Sequence, residues 1–147
     1  MKQRFENFTI QIAKISRNIK RIKGHEMQEY DLRSSHVSCL YYLFSSKGLT
    51  LTELSERCEE DKATVSRSVR DLKRNGYVIS EAGSEGRYKA QLLLTEKGMI
   101  AGKRIADKIS AVLNETDKAL TGEELEVFYR CLGVISEELE KIADRHG

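Results

Sequence analysis

The sequence predicts a mainly α-helical fold carrying one small β-hairpin, and three observations lead there. Between Thr50 and Val78 two helix-start signals follow one another at the spacing of two helices joined by a tight turn. Two short strand-like segments separated by glycines come directly after them. Toward both ends of this 147-residue, proline-free chain, apolar residues recur every three or four positions over long stretches.

The central stretch is the most informative. Thr50-Leu51-Thr52-Glu53 has the form of a capping box, in which the Thr side chain accepts from the N3 amide and the N3 Glu reaches back to the N-cap amide. A short helix is therefore expected from Leu51, with Leu54 also facing inward. Cys58-Glu59-Glu60 is the turn, and Asp61 caps a second helix over 62–75, its negative charge suiting a helix N-terminus. At about 100° per residue, Val65, Val69 and Leu72 form one stripe of that helix. Ala63, Ser66, Arg67, Arg70 and Arg74 fall on the other side. Asn75-Gly76 supplies the stop, because Gly tolerates the left-handed conformation past a helix end. Such a pair of helices is a helix-turn-helix, a shape able to enter a DNA major groove, although a solvated charged face is common on helices of every kind. The next segment sharpens it. Residues 77–81 read as a strand, 82–87 as a turn and 88–94 as the returning strand, a β-hairpin wing with Arg87 and Lys89 near its tip.

The flanks are long helices. Phe5, Phe8, Ile12, Ile15, Ile19 and Ile22 make a narrow apolar seam on an N-terminal helix that Gly24 is expected to end. After an irregular connection, either Ser34 or Ser35 is the expected cap of a helix whose inward stripe is Val37, Leu40, Tyr41 and Phe44. His36 and Cys39 share a face of it, and a packed Cys beside a polar His explains them better than a two-ligand metal site does. Beyond the wing, Thr95 is the expected cap of a helix reaching about Leu120, with Met99, Ile105, Ile109, Val112 and Leu113 on its apolar side. Thr121-Gly122-Glu123-Glu124 is another capping box. Leu125, Phe128, Leu132, Ile135, Leu139 and Ile142 then repeat the seam spacing of the N-terminal helix. The expected organisation is one continuous unit: a dimerisation helix over 1–24, a winged helix-turn-helix over 34–95 with its wing at 77–94, and dimerisation helices over 96–147. Two narrow seams at opposite ends of the chain suit helices interlocking between two copies; a monomer whose seams pack on each other is the alternative.

Charge is distributed unevenly. The formal net charge is only +2. From Asp61 to Arg104, however, ten Lys/Arg stand against five Asp/Glu, whereas from Thr121 onward three stand against seven. Positive charge thus concentrates around the second helix and the wing, as a phosphate-binding surface requires. No apolar run approaches the roughly 20 residues of a membrane span, and the N-terminus lacks a signal-peptide core. A cytoplasmic protein is expected. Cys39, Cys58 and Cys131 are widely spaced and contain no CxxC, which argues against a disulfide framework or structural zinc. No Gly-rich phosphate loop, metal-ligand cluster or nucleophile elbow points to an enzyme, and no cofactor is expected.

The order of these elements, with Leu51-Thr52-Glu53-Leu54-Ser55, Val65-Ser66-Arg67-Ser68-Val69-Arg70-Asp71-Leu72, Gly76-Tyr77-Val78 and Leu94-Thr95-Glu96-Lys97-Gly98, resembles the multiple-antibiotic-resistance regulator (MarR) family of transcription factors across essentially the whole chain. The resemblance implies a winged-helix homodimer that binds a pseudo-palindromic operator, usually as a repressor, and that often releases DNA on small-molecule binding or cysteine oxidation. Arg67 and Arg70, with Ser66 and Thr64, would then face base edges, Arg suiting guanine O6 and N7. Lys62, Lys73, Arg74 and Lys89 would neutralise phosphates. The family commonly carries Asp-x-Arg at the wing tip; Ser84-Glu85-Gly86-Arg87 stands here, with Arg87 in the role of the wing arginine. An effector crevice would recruit His36, Tyr41 or Tyr42, each of which simple packing also explains. Oxidation sensing ranks below small-molecule sensing, since Cys39 and Cys131 lie in or beside apolar stripes and Glu56, Glu59 and Glu60 disfavour a Cys58 thiolate. The other class of protein in view is a winged-helix protein-interaction module without specific DNA binding.

Overall fold

In a computed structural model that describes residues 2–58, 60–81 and 90–147, the chain runs α1 (Lys2–Glu26), a 3-10 turn (Gln28–Tyr30), α2 (Ser34–Phe44), α3 (Leu51–Cys58), α4 (Lys62–Arg74), β1 (Val78–Glu81), β2 (Gln91–Leu94), α5 (Glu96–Asp117) and α6 (Gly122–His146). It forms two compact units, residues 1–108 and 109–147, divided within α5.

The first unit is built on α2, α3 and α4. Thr50 Oγ1 accepts from the Glu53 amide at 3.2 Å, and Glu53 accepts from the Thr50 amide at 3.1 Å, so α3 starts where the capping box places it. Asp61 takes the Thr64 amide at 2.7 Å and the Thr64 hydroxyl at 3.0 Å. Val65, Val69 and Leu72 are buried, joined by Leu40 of α2 and Leu54 of α3, both of which have no exposed surface. Ser68, on the same stripe, is buried as well and hydrogen-bonds Ser35 of α2. Gly76 has φ +80°, and the Gly76 and Tyr77 amides turn back to the Lys73 and Leu72 carbonyls at 3.1 and 2.9 Å. That closes α4 as Asn75-Gly76 predicted.

β1 and β2 pair antiparallel, with Val78 opposite Leu94 and Glu81 opposite Gln91. Leu49 adds a further pairing through mutual amide and carbonyl bonds with Leu92, at 2.8 and 3.3 Å. This tie between the segment before α3 and the returning strand is absent from any local pattern. Thr95 caps α5 by accepting the Gly98 amide at 3.1 Å, while its hydroxyl donates to the Gly76 carbonyl at 2.6 Å. Gly98 is needed there: a Cβ would overlap the Tyr77 carbonyl. Gly102, one turn on, lies against Phe44, where a Cβ would come to 2.7 Å.

Three local expectations are corrected. Gly24 does not end α1, which continues to Glu26. Lys23 donates to Ser38 Oγ of α2 at 2.9 Å and Met27 is buried, so docking of the last turn outweighs the roughly 1 kcal/mol helical cost of one glycine. Neither Ser34 nor Ser35 caps α2. The N-cap is Arg33, whose amide donates to His36 Nδ1 at 3.0 Å, because the imidazole already sits over the helix start. Finally, Cys39 and Leu43 are buried in α2 while Tyr41 and Phe44 are half-buried, since α2 is enclosed on more than one side.

The seam of α1 is uncovered: Phe5, Phe8, Ile12, Ile15, Ile19 and Ile22 are all exposed. The body of its own unit therefore does not cover this seam. In the second unit, Thr121 and Glu124 make the predicted reciprocal caps at 3.1 and 2.8 Å. No residue of α6 is buried, and Phe128, Ile135, Leu139 and Ile142 are exposed.

Candidate nucleic-acid interface

Burial of Val65, Ser68, Val69 and Leu72 fixes the rotation of α4 and thereby decides which residues it presents outward. Lys62, Arg67, Arg70, Lys73 and Arg74 are exposed, and Thr64 and Ser66 are half-buried. The described cations expected at this site therefore lie on one helix, turned away from the core. Ser66, Arg70 and Lys73 also border a crevice of about 120 Å³ whose other walls include Leu51, Ala90 and Leu92, so α4 lies alongside the base of the hairpin. Arg87 and Lys89 lie outside the described residues.

The N-terminus of α4 is internally wired. Asp61 holds the Thr64 amide and hydroxyl, and Thr64 Oγ1 accepts from Arg67 at 3.3 Å. The Thr64 amide bond holds the Asp61 carboxyl below its ordinary range, with the Thr64 hydroxyl and the Arg67 charge adding to it. Thr64 thus has its hydroxyl committed to orienting Arg67, a positioning role that spacing alone did not reveal. Arg74 approaches Asp71 at 3.9 Å, leaving Arg70 and Lys73 as the less compensated cations of the central turns.

The residues expected in an effector crevice behave differently from one another. His36 is buried and engaged inside the fold: Nδ1 accepts from the Arg33 amide, and Nε2 lies 3.2 Å from Asp71 Oδ2. Because Nδ1 accepts, Nε2 carries the proton and donates to Asp71. His36 therefore ties α2 to α4. Tyr41 and Tyr42 are half-buried neighbours with edge-to-face rings 5.2 Å apart.

Two arrangements escaped the sequence reading. Lys97 lies 4.3 Å over the Tyr77 ring and donates to the Asn75 carbonyl at 2.7 Å, clamping α5 to the end of α4. Gly76-Tyr77-Val78 and Leu94-Thr95-Glu96-Lys97-Gly98 were recognisable as separate motifs, and their contact was the missing link. The other is a sulfur pair. Cys39 and Cys58, nineteen positions apart, bring their Sγ atoms to 4.0 Å. Cys131 is exposed on α6.

Among the described residues no helix is long and apolar enough to cross a membrane. None of their His, Cys, Asp and Glu side chains form a metal-holding group of three or more.

This arrangement of α2, α3, α4 and hairpin is a winged helix-turn-helix. Residues 27–92 match the family described as "Sugar-specific transcriptional regulator TrmB", a span that runs from the end of α1 into β2 and leaves α1, α5 and α6 outside it. The chain is 28% identical over 136 residues to the HTH-type transcriptional repressor YetL of Bacillus subtilis, covering 88% of this chain and 79% of that protein. It is similar in structure to NMB1585, a MarR family regulator from Neisseria meningitidis, with a TM-score of 0.83, 19% identity and coverage of 98% and 99% of the two chains. It is also similar to Staphylococcus aureus MepR, solved as a DNA complex, with a TM-score of 0.79, 19% identity and coverage of 90% and 97%. The chain has the winged-helix fold of MarR family regulators from end to end.

Proposed function

We propose that this protein is a sequence-specific DNA-binding transcriptional regulator that acts as a homodimer on a pseudo-palindromic operator. The observation that carries the reading is the rotation of α4: its buried stripe leaves Arg67, Arg70, Lys73 and Arg74 exposed on the outer face, with Arg70 and Lys73 bordering the base of the hairpin. Arg70, assisted by Arg67 and Ser66, reads base edges in the major groove, and Thr64 acts through Arg67. Lys62, Lys73 and Arg74 contact phosphates. Arg87 and Lys89 are assigned to the DNA contact from the sequence pattern alone. A protein-interaction module gives no reason for a cationic outer face on α4.

Dimerisation is supported by the two uncovered seams. Six large apolar side chains along α1 and a matching row on α6 form longer apolar stripes than a soluble monomer ordinarily exposes. A second copy covers them, and two α4 helices then address major grooves one helical turn apart, about 34–36 Å. Repression is the sign favoured by the likeness to YetL. An effector bound near Tyr41 and Tyr42 would act on the α2 face, which His36 links to α4.

The test is selection from a pool of random duplexes by the full chain, followed by sequencing and a salt titration on the best site. An inverted repeat, with affinity falling steeply as salt rises, supports the reading. Weak, sequence-indifferent retention with no enriched repeat overturns it and favours the interaction module.

A further inference from the structure

Cys39 lies near the middle of α2 and Cys58 ends α3, three positions before the Asp61 cap of α4. Their sulfurs are 4.0 Å apart; Cys39 is fully buried and Cys58 is half-buried. The surroundings divide their roles. The hydrogen bond from the Cys39 thiol pulls the Cys58 thiol below its ordinary range, Lys23 adds to this, and burial and the Glu60 charge oppose it. Lys23 is held at the site by its 2.9 Å bond to Ser38 Oγ. The same hydrogen bond, with burial, pushes the Cys39 thiol up. Nearby Glu60 counts against the Cys58 thiolate, as the sequence indicated, but the donor from Cys39 outweighs it. The outer sulfur is thus the nucleophile, and the inner one stays protonated as its resolving partner.

We propose that Cys39 and Cys58 form a redox-active dithiol that a small hydroperoxide oxidises to an intrachain disulfide. In the first step the Cys58 thiolate attacks the peroxide oxygen. The S–O bond forms, the O–O bond breaks, sulfur is oxidised, and the departing alkoxide or hydroxide takes up a proton. In the second, Cys39 attacks the Cys58 sulfenic acid: the S–S bond forms, the S–O bond breaks, and the leaving hydroxide takes the Cys39 proton to become water. Two thiols and one hydroperoxide give one disulfide, one alcohol or water, and one further water. A small oxidant is specified because Cys58 is only partly accessible and Cys39 is not accessible at all. A disulfide requires sulfurs about 2.05 Å apart, so oxidation draws the last turn of α3 toward α2 and acts on the turn that leads into α4. Only this last consequence for DNA rests on the function proposed above; the chemistry stands apart from it.

The test uses the reduced full chain, treated with a small excess of hydrogen peroxide or cumene hydroperoxide, then blocked with N-ethylmaleimide and mapped by mass spectrometry without reduction. Two thiols per chain should disappear with the mass of two hydrogens. The chain should remain covalently monomeric, one linked peptide pair should join residues 39 and 58, and dithiothreitol should restore both thiols. Cys131→Ser should behave identically, and Cys39→Ala, which also removes the hydrogen bond that lowers the Cys58 thiol, should give no linked peptide pair and slower oxidation of Cys58. Retention of all thiols, a link through Cys131, or oxidation of Cys58 with no link to Cys39 in both the wild-type and Cys131→Ser chains would overturn the proposal. DNA retention, measured on the same samples, is a separate readout, and its failure alone bears on the regulator reading.

Discussion

Arg70 and Lys73 are exposed on the same two turns of α4, yet their chemistry predicts different losses. Arg70→Ala should weaken binding to the selected operator by about 5- to 150-fold, the worth of one bidentate base contact. Its thermal midpoint should stay near that of the wild type, because an exposed side chain away from the core changes stability by roughly 0.5 kcal/mol or less. Fluorescence anisotropy and a melting curve read the two quantities, and unchanged operator affinity removes Arg70 from the contact set. Lys73→Ala should lower affinity for operator and random duplex alike and reduce the slope of log affinity against log salt by about one. Asp61 adds a pH dependence. Its carboxyl sits below its ordinary 3.8 because of the Thr64 amide. The resulting stabilisation is fully present above 3.8 and is lost as pH falls through the lower folded-state value. Asp61→Asn keeps a capping oxygen that does not titrate, so its melting temperature should fall less steeply than that of the wild type in that acid range.

Elements are held in register mainly by contacts between helix ends. Thr95 and Lys97 at the start of α5 bond carbonyls at Gly76 and Asn75, and Gly98 lets that first turn lie directly on Tyr77. Gly98→Ala should therefore destabilise the protein by about 1–3 kcal/mol, the usual cost of overpacking. Backbone on both sides of the overlap leaves no flexible group to yield. Urea unfolding checks this, with Gly122→Ala as control, since a Cβ there meets nothing. His36 performs a similar linking task between α2 and α4 through Arg33 and Asp71. The same contacts explain the usefulness of the Leu-Thr-Glu-Lys-Gly motif as a sequence marker: one residue caps, one clamps, and the glycine permits the approach.

For the molecule as a whole, the exposed apolar seams of α1 and α6 are the surfaces that a second copy would cover. Ile15 and Leu139 are each 51% exposed within the seams of α1 and α6. Ile15→Glu and Leu139→Glu should each shift the protein from dimer toward monomer in sedimentation velocity, with helix content retained by circular dichroism. Operator affinity should fall with dimer fraction, because a lone head loses the second half-site. A wild-type chain that sediments as a monomer at micromolar concentration would remove the dimer from the proposed function.

The chain itself determined the elements whose causes are local. Thr50–Glu53, Asp61 and Thr121–Glu124 set helix starts through side chains three residues from the amides they meet, and Gly76 ended α4 through its own φ. The cationic face of α4 was equally legible, because the 3.6-residue period separates Val65, Val69 and Leu72 from the arginines. Only the tertiary structure decided what depends on distant residues meeting. It paired Leu49 with Leu92, set Lys97 over Tyr77, turned His36 into a link with Asp71, committed Ser35 to Ser68 and drew Cys39 to Cys58. The thiol pair makes the reason plain: their separation in sequence said that the cysteines were unrelated. Residues nineteen positions apart become neighbours only when burial of Leu40, Leu54 and Val65 has packed α2, α3 and α4 around one core, a global condition that no local spacing encodes.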